Sequence, residues 1–206
     1  MISSVNKDTR AGFVTLIGAP NAGKSTLMNA MVGQKVSIVT PKVQTTRSRI
    51  RGIAMQDDAQ IVFVDTPGIF SPKRRLDRAM VNAAWQGAAD NDVLLLLHDC
   101  ARARVDDETK MIIDKLAQQE QAAALILNKI DLANPEQVLA RTAELSALFN
   151  FEKVFMISAH TENGLSDLKS WLAQQMPLGP YLFDPNDLSD LPVRLLAAEI
   201  LREQLF

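Results

Sequence analysis

The 206-residue chain predicts an α/β domain of three layers, a mostly parallel six-stranded sheet with helices on both faces. Three observations carry this. Short apolar runs such as DVLLLL at 92–97 and AAALIL at 122–127 show no polar alternation, which is how strands covered on both faces read. Those runs take turns along the chain with segments of helical spacing, the pattern of an open parallel sheet. The residues with chemistry to offer follow the carboxyl ends of the runs, where such a sheet holds its ligand.

Taken in order, residues 12–17 (GFVTLI) read as a short buried strand and 24–32 (KSTLMNAMV) as a helix. Residues 33–46 have no sustained period and carry a proline and several hydroxyls, so they predict a long, mobile connection, and connections of that length are usually functional or disordered. An edge strand at 49–54 and a buried strand at 60–64 follow, then the strand at 92–97. Residues 106–116 predict a helix whose first turn gathers acidic residues, as the helix dipole favours. After the strand at 122–127 comes an amphipathic helix at 135–149, with Val138, Leu139, Ala143, Leu145 and Leu148 near helical spacing. A last strand at 153–157 and a closing helix at 164–176, with Leu165, Leu168, Trp171 and Leu172 on one face, complete the series.

Four stretches carry the chemistry. Gly18, Ala19, Pro20, Asn21, Ala22, Gly23, Lys24 and Ser25 have the spacing of a phosphate-cradling loop, set between a strand and a helix as that motif requires. Backbone N–H groups and the positive end of the new helix converge on an anion there. Lys24 bridges the outer phosphates, and Ser25 or its neighbour Thr26 offers a hydroxyl to Mg²⁺, the motif selecting Ser25. Asp65, Thr66, Pro67 and Gly68 follow a buried strand. A carboxylate at Asp65 can hold the metal's water shell, and the Gly68 N–H can donate to a terminal phosphate, which makes 69–78 a segment whose order depends on the ligand.

The third stretch decides the base. Asp131 can accept two hydrogen bonds from guanine's ring N–H and amine, a donor pair adenine lacks; Asn128 braces the base and the neighbouring loops, and the stem of Lys129 lies along the purine. At roughly 1.5–3 kcal/mol per charged bond, adenine is disfavoured by about two to four decades. Fourth, Ser158 and Ala159 are small enough to let backbone N–H groups approach guanine O6. Guanine nucleotide and Mg²⁺ are therefore the implied ligands of a P-loop NTPase fold.

A formal charge of −2 gives no electrostatic sign of nucleic acid across the whole chain, so any such contact would come from a local patch or a missing part. Cys100 is the one cysteine, which excludes an internal disulfide and suits a reducing compartment. The polar residues 1–10 do not read as a secretory signal, and no apolar run approaches the roughly 18 residues of a membrane span. His98 and His160 stand apart from any zinc-ligand spacing. Pro177, Pro180, Pro185 and Pro192 rule out a regular helix or inner strand, so 177–192 reads as a Pro-rich linker after a domain at 1–176. Residues 193–206 resume helical character with an apolar stripe, to be covered by a further domain, by a partner or by packing back. Lys73, Arg74, Arg75 and Arg78 form a basic cluster that is either a solvated charge run or a contact for RNA phosphates or anionic lipid.

With GAPNAGKST at 18–26, Gln44-Thr45-Thr46-Arg47, Asp65-Thr66-Pro67-Gly68-Ile69, Asn128-Lys129-Ile130-Asp131 and Ser158-Ala159, the chain resembles the Era-like family of translation-factor-class GTPases over nearly its whole length. The resemblance implies Mg²⁺-dependent hydrolysis of GTP to GDP and phosphate, with Lys24, Thr46, Asp65 and Gly68 as catalytic residues and Ser25, Thr46 and Asp65 around the metal. Thr46 is preferred to Thr45 because related GTPases place it directly before the arginine. At Ile69, Ras-like enzymes carry a water-orienting glutamine, and GTPases with a hydrophobic residue there align water differently; intrinsic hydrolysis is expected to be slow, on the order of 10⁻⁴ to 10⁻² s⁻¹, the span of unassisted GTPases. Asn21 matches a position that holds K⁺ in some relatives, or it pins the loop. The resemblance further implies a monomeric, cytoplasmic protein of 30S ribosomal subunit assembly, peripheral on the inner face of the membrane. It would bind 16S rRNA through a KH domain that follows 193–206. A nucleotide-controlled binding switch, in which hydrolysis is incidental, is the alternative.

Overall fold

The computed structural model describes residues 8–39, 50–66, 69, 91–190 and 201. Its strands are β1 (Arg10–Gly18), β2 (Ile50–Gln56), β3 (Ala59–Asp65), β4 (Val93–Asp99), β5 (Ala124–Asn128) and β6 (Val154–Met156). Its helices are α1 (Lys24–Val32), α2 (Asp107–Gln118), α3 (Pro135–Leu148) and α4 (Leu165–Gln175). The sheet runs β2-β3-β1-β4-β5-β6. Every neighbouring pair is parallel except the β2–β3 hairpin, so the expected mostly parallel six-stranded sheet is the one observed.

Alternation within single strands shows why both faces are covered. On β4, Leu95 and Leu97 join a core with Leu27 and Met28 of α1 and Leu168 and Leu172 of α4. Leu94 and Leu96 turn to the opposite core with Ile112 and Leu116 of α2 and Leu145 of α3. Each fully buried leucine of this kind contributes about 1.5–3 kcal/mol relative to exposure. The helix starts are set by local chemistry. Asp106 caps α2 by accepting from the Thr109 N–H at 2.8 Å. Asn134 and Gln137 form a reciprocal capping box ahead of Pro135 on α3.

The strand order reverses about β1, which lies between β3 and β4. The crevice at the carboxyl ends of these three strands is the place such a sheet offers to a ligand. In register, Leu16 stands beside Asp65, Gly18 beside Leu97, and Asp99 beside Asn128. The motif residues therefore share one rim.

Two stretches differ from the sequence reading. Residues 33–39, read as the start of a mobile connection, are pinned. The Asn29 carboxamide accepts from the Val36 and Ser37 N–H groups at 2.9 Å each and donates to the Ser37 carbonyl at 2.8 Å, and Val36 and Ile38 are buried. The Pro-rich stretch is irregular, as its prolines require, yet through Asp190 it lies against the sheet as a strap. The Ala11 N–H donates to the Pro177 carbonyl (3.1 Å), and Gly179 bonds Thr9 (2.9 Å). The buried Gln60 side chain holds Leu182 and Phe183 by three hydrogen bonds of 2.8–3.0 Å. The strap then pairs with edge strand β2, Ile53 N–H to the Leu188 carbonyl (2.9 Å), and ends on an Arg51–Asp190 ion pair of 3.2 Å. The expected helix at 193–206 and the basic cluster Lys73, Arg74, Arg75 and Arg78 lie outside the described residues, apart from Leu201, which is helical and exposed.

Candidate functional site

The loop from Gly18 to Gly23 leaves β1 and enters α1, and its shape follows from what its neighbours permit. A Cβ on Gly18 would sit 2.5 Å from the Leu97 carbonyl oxygen, so only glycine lets the loop pass β4 this closely. Gly23 has φ +99°, and a Cβ there would lie 2.2 Å from Asn128 Nδ2. These are a backbone conformation and a spacing that only glycine accepts without strain.

Each carbonyl from Gly18 to Ala22 is held by a donor. Lys24 Nζ bonds the Gly18 and Ala19 oxygens at 3.1 and 3.0 Å, and the Ala22 N–H reaches Ala19 at 3.3 Å. The next three are gripped from the ends of other strands: Pro20 by Arg102 (3.1 Å), Asn21 by Lys129 (2.9 Å) and Ala22 by Asn128 (2.9 Å). Because a trans peptide carries its C=O and N–H on opposite sides, fixing these oxygens also fixes the direction of the N–H groups of Asn21, Ala22 and Gly23. The Lys24 ammonium is buried, and desolvation brings its pKa down to about 8, with Asp65 opposing and Arg102 assisting the shift. With the Ala22 N–H spent on Ala19, an anion seated on this loop would meet the Asn21 and Gly23 amides held in fixed directions and a cation stripped of most of its water.

Asp65 is fully buried at the end of β3. Its Oδ2 accepts from Ser25 Oγ at 2.6 Å and Ser37 Oγ at 3.0 Å. Hard oxygen donors thus meet beside the loop, the set that Mg²⁺ prefers. The contact falls on Ser25 rather than Thr26, for which no bond to Asp65 is seen. Among the described residues no group of three or more His, Cys, Asp or Glu could hold a metal. Thr45, Thr46, Pro67 and Gly68 lie outside the described residues. Thr66 donates to the Leu16 carbonyl at 2.7 Å, and the Ile69 N–H to Gly18 at 3.1 Å. The Ile69 side chain is buried among Ile17, Leu94 and Leu96. It therefore has neither the chemistry nor the direction to orient water.

On the base side, Asn128 is buried and ties two loops together, donating to Ala22 and accepting from the Ala159 N–H at 3.0 Å. The Ala159 amide, expected to reach toward guanine O6, is directed at Asn128. Ser158 is buried, its hydroxyl accepting from the Thr161 N–H at 3.1 Å and its N–H bonded to the Asn163 carbonyl. Lys129 adopts φ 63° and pairs with Asp99 at 2.6 Å as well as with the phosphate loop. The chain then turns through a short 3₁₀ segment, Ile130–Leu132, that presents Asp131 exposed at the rim.

Sequence reading passed over Asp99, Arg102, Asn29 and Ser37. Asp99 had a usable signal, a carboxylate closing a buried strand as Asp65 does; the others are recognisable only from contacts. Cys100 is fully buried, its thiol pushed up to about 11 chiefly by burial and further by Asp99, which leaves it chemically inert.

The sheet, the held loop and the Ser25–Asp65 pair define a phosphate-loop nucleotide-binding domain. The family model described as 50S ribosome-binding GTPase matches residues 13–129. The chain is 54% identical over 200 residues to GTPase Era of Dinoroseobacter shibae, covering 96% of this chain and 65% of the relative. It superposes on Aquifex aeolicus Era bound to GDP·AlF₄⁻ with a TM-score of 0.86 at 35% identity, covering 95% of this chain and 67% of the other. It likewise superposes on Era in complex with MgGDPNP and nucleotides 1506–1542 of 16S ribosomal RNA, with a TM-score of 0.87 at 36% identity and the same coverage. The chain belongs to the Era family of GTPases. It spans about 65% of the length of the curated relatives it matches.

Proposed function

We propose that this chain binds GTP across the carboxyl ends of β1, β3, β4 and β5 and hydrolyses it to GDP and phosphate. The observation that carries the reading is the phosphate loop itself, whose carbonyls are all held by protein donors while a buried Lys24 stands behind them. Lys24 would exchange its bonds to Gly18 and Ala19 for the outer phosphates, and Asp131 would take the guanine edge. Ser25, Asp65 and Thr46 would hold Mg²⁺, which when bound neutralises charge on the transferred phosphate. Catalysis then rests on positioning and electrostatics, and the intrinsic rate is slow, on the order of 10⁻⁴ to 10⁻² s⁻¹, as for unassisted GTPases. Asn21 is the candidate for a K⁺ ligand. A relative named Era was crystallised with MgGDPNP and a 16S ribosomal RNA segment, which supports a role in small-subunit assembly for the longer protein. We read that protein as a cytoplasmic monomer that meets rRNA through a KH domain and the membrane surface peripherally.

Competition between GTP and ATP on the purified chain tests the core of this. GTP should win by about two to four decades. Asp131→Asn, which replaces one acceptor by a donor, should lose guanine preference and gain xanthine. Equal affinity for ATP and GTP in the wild-type chain would refute the reading.

A further inference from the structure

The Pro20 carbonyl is held from outside every recognised motif. Its donor, Arg102, lies in the loop between β4 and α2, 82 positions along the chain. The loop carrying it is itself anchored, since Arg141 of α3 donates to the Ala103 carbonyl. The guanidinium is aimed by a second contact, Arg102 Nη1 to Asp106 Oδ2 at 2.9 Å, while Asp106 Oδ1 caps α2. One end of the fork is thus fixed to a rigid helix start and the other reaches the phosphate loop at 3.1 Å.

What it holds there is the centre of a tight turn. The Ala22 N–H donates to the Ala19 carbonyl, which closes a β-turn with Pro20 and Asn21 in the middle. Proline sets φ near −65° at the first central position, and Asn21 has φ 62° at the second. That combination is a type II turn. A type I turn accepts the same proline, keeps the following residue at negative φ and is the commoner of the two. Passing from one to the other rotates the central peptide by about half a turn, sending the Pro20 oxygen and the Asn21 N–H to opposite faces.

We propose that Arg102 is a positioning residue for the polyphosphate, holding the Pro20–Asn21 peptide in the type II orientation and so fixing where the Asn21 N–H points. This deepens the reading of the site as a GTP cradle and rests on it. Without the guanidinium, the Pro20 oxygen loses the contact that selects its face, and Asn21 can leave the left-handed region it occupies at a cost. Lysine at 102 keeps the charge but has no fork to serve Asp106 and Pro20 together.

The test is equilibrium binding of the GTP analogue GDPNP to the full 206-residue chain, at fixed K⁺ and below each variant's thermal midpoint. Arg102→Met should weaken binding about tenfold, and Arg102→Lys should fall between it and wild type. A double-mutant cycle separates positioning from general damage. In an Asn21→Gly background the turn favours type II by itself, since glycine takes positive φ without strain. There the cost of Arg102→Met should shrink to about threefold or less. Wild-type failure to bind GDPNP overturns the functional reading. Wild-type binding with an unaffected Arg102→Met, or an equal cost in both backgrounds, overturns this inference alone. Should Arg102→Met not fold, the same comparison is made with Arg102→Lys.

Discussion

Asn128→Ala probes the joint on which base and phosphate recognition meet. Its side chain makes two hydrogen bonds in the interior, to the Ala22 carbonyl at 2.9 Å and from the Ala159 N–H at 3.0 Å, and both partners belong to buried residues. Truncation leaves one acceptor and one donor without their partners, and each such group costs about 1–3 kcal/mol. The space opened lies next to Gly23, where water can enter from the loop and replace part of the loss. The lower part of the summed range applies, about 2–3 kcal/mol. In a domain of this size each kcal/mol moves the thermal midpoint by about 2–4 °C, so a fall of about 4–12 °C is expected. Scanning calorimetry or urea unfolding without added nucleotide measures it, which separates the brace from any contact with the base. Asn128→Asp sharpens the test. It keeps an acceptor for Ala159 but turns a second oxygen on the Ala22 carbonyl, so it should destabilise as much as alanine and weaken nucleotide binding further by adding negative charge beside the phosphate loop. A midpoint within about 2 °C of wild type for Asn128→Ala would mean that the two loops do not depend on this side chain, and the account of the preformed cradle would fail with it.

Gln60→Leu keeps the bulk of a buried side chain while removing all three bonds to Leu182 and Phe183. At about 0.5–1.5 kcal/mol net for each bond, the strap should detach locally rather than unfold the sheet, and limited proteolysis should cut within 177–190 markedly faster. Unchanged cleavage would show the strap is held by something else. His98 supplies a pH dependence. It is buried, its Nε2 has no hydrogen-bond partner among the described residues, and Thr109 Oγ1, having given its proton to Asp106, accepts from His98 Nδ1 at 3.3 Å. Burial, opposed by Asp106 and Asp99, holds its pKa below the usual 6.5. The unfolded chain then takes up a proton that the folded chain refuses, so this group's share of stability is present above about pH 6.5 and is lost as pH falls below it. The thermal midpoint of His98→Gln should fall less steeply between pH 7 and 5 than that of wild type; parallel curves would exclude the assignment.

The motif residues were legible because each is a short local run at the end of a strand that reads as continuous hydrophobics. Asp65 follows QIVFV, Asn128 follows ALIL, and a parallel sheet must bring such ends to one rim. The roles of Arg102 and Gln60 were not legible, because their partners lie 82 and 122–123 positions away; Arg102 reads as any loop arginine, and a place in a buried strand does not say what Gln60 bonds. Residues 33–39 looked mobile for want of a period, but order there comes from one carboxamide on α1 bonding three backbone groups, which has no periodic signature. The prolines at 177–192 forbid regular structure and no more. Between them, Gly179, Leu182, Phe183 and Leu188 keep backbone groups free to pair with Thr9, Gln60 and Ile53.

The distribution of these contacts says where nucleotide selectivity resides. Asn128 and Lys129, both on the base side, have polar ends bonded to the phosphate loop, at Ala22 and Asn21. They set the grip on phosphate, which any nucleoside triphosphate could use, and leave the reading of the base edge to Asp131, which stands exposed at the rim. A loop held by protein donors also spares the ligand the cost of ordering it, so an unsuitable base is not compensated or penalised through the phosphates. It follows that Asp131 substitutions should change which base is chosen with little effect on the phosphate contribution, while Asn128 and Lys129 substitutions should weaken all nucleotides alike. Comparing GDP, XDP and ADP affinities across the three variants distinguishes the two behaviours. A Lys129→Ala variant that lost guanine preference while keeping overall affinity would show the division drawn here to be wrong.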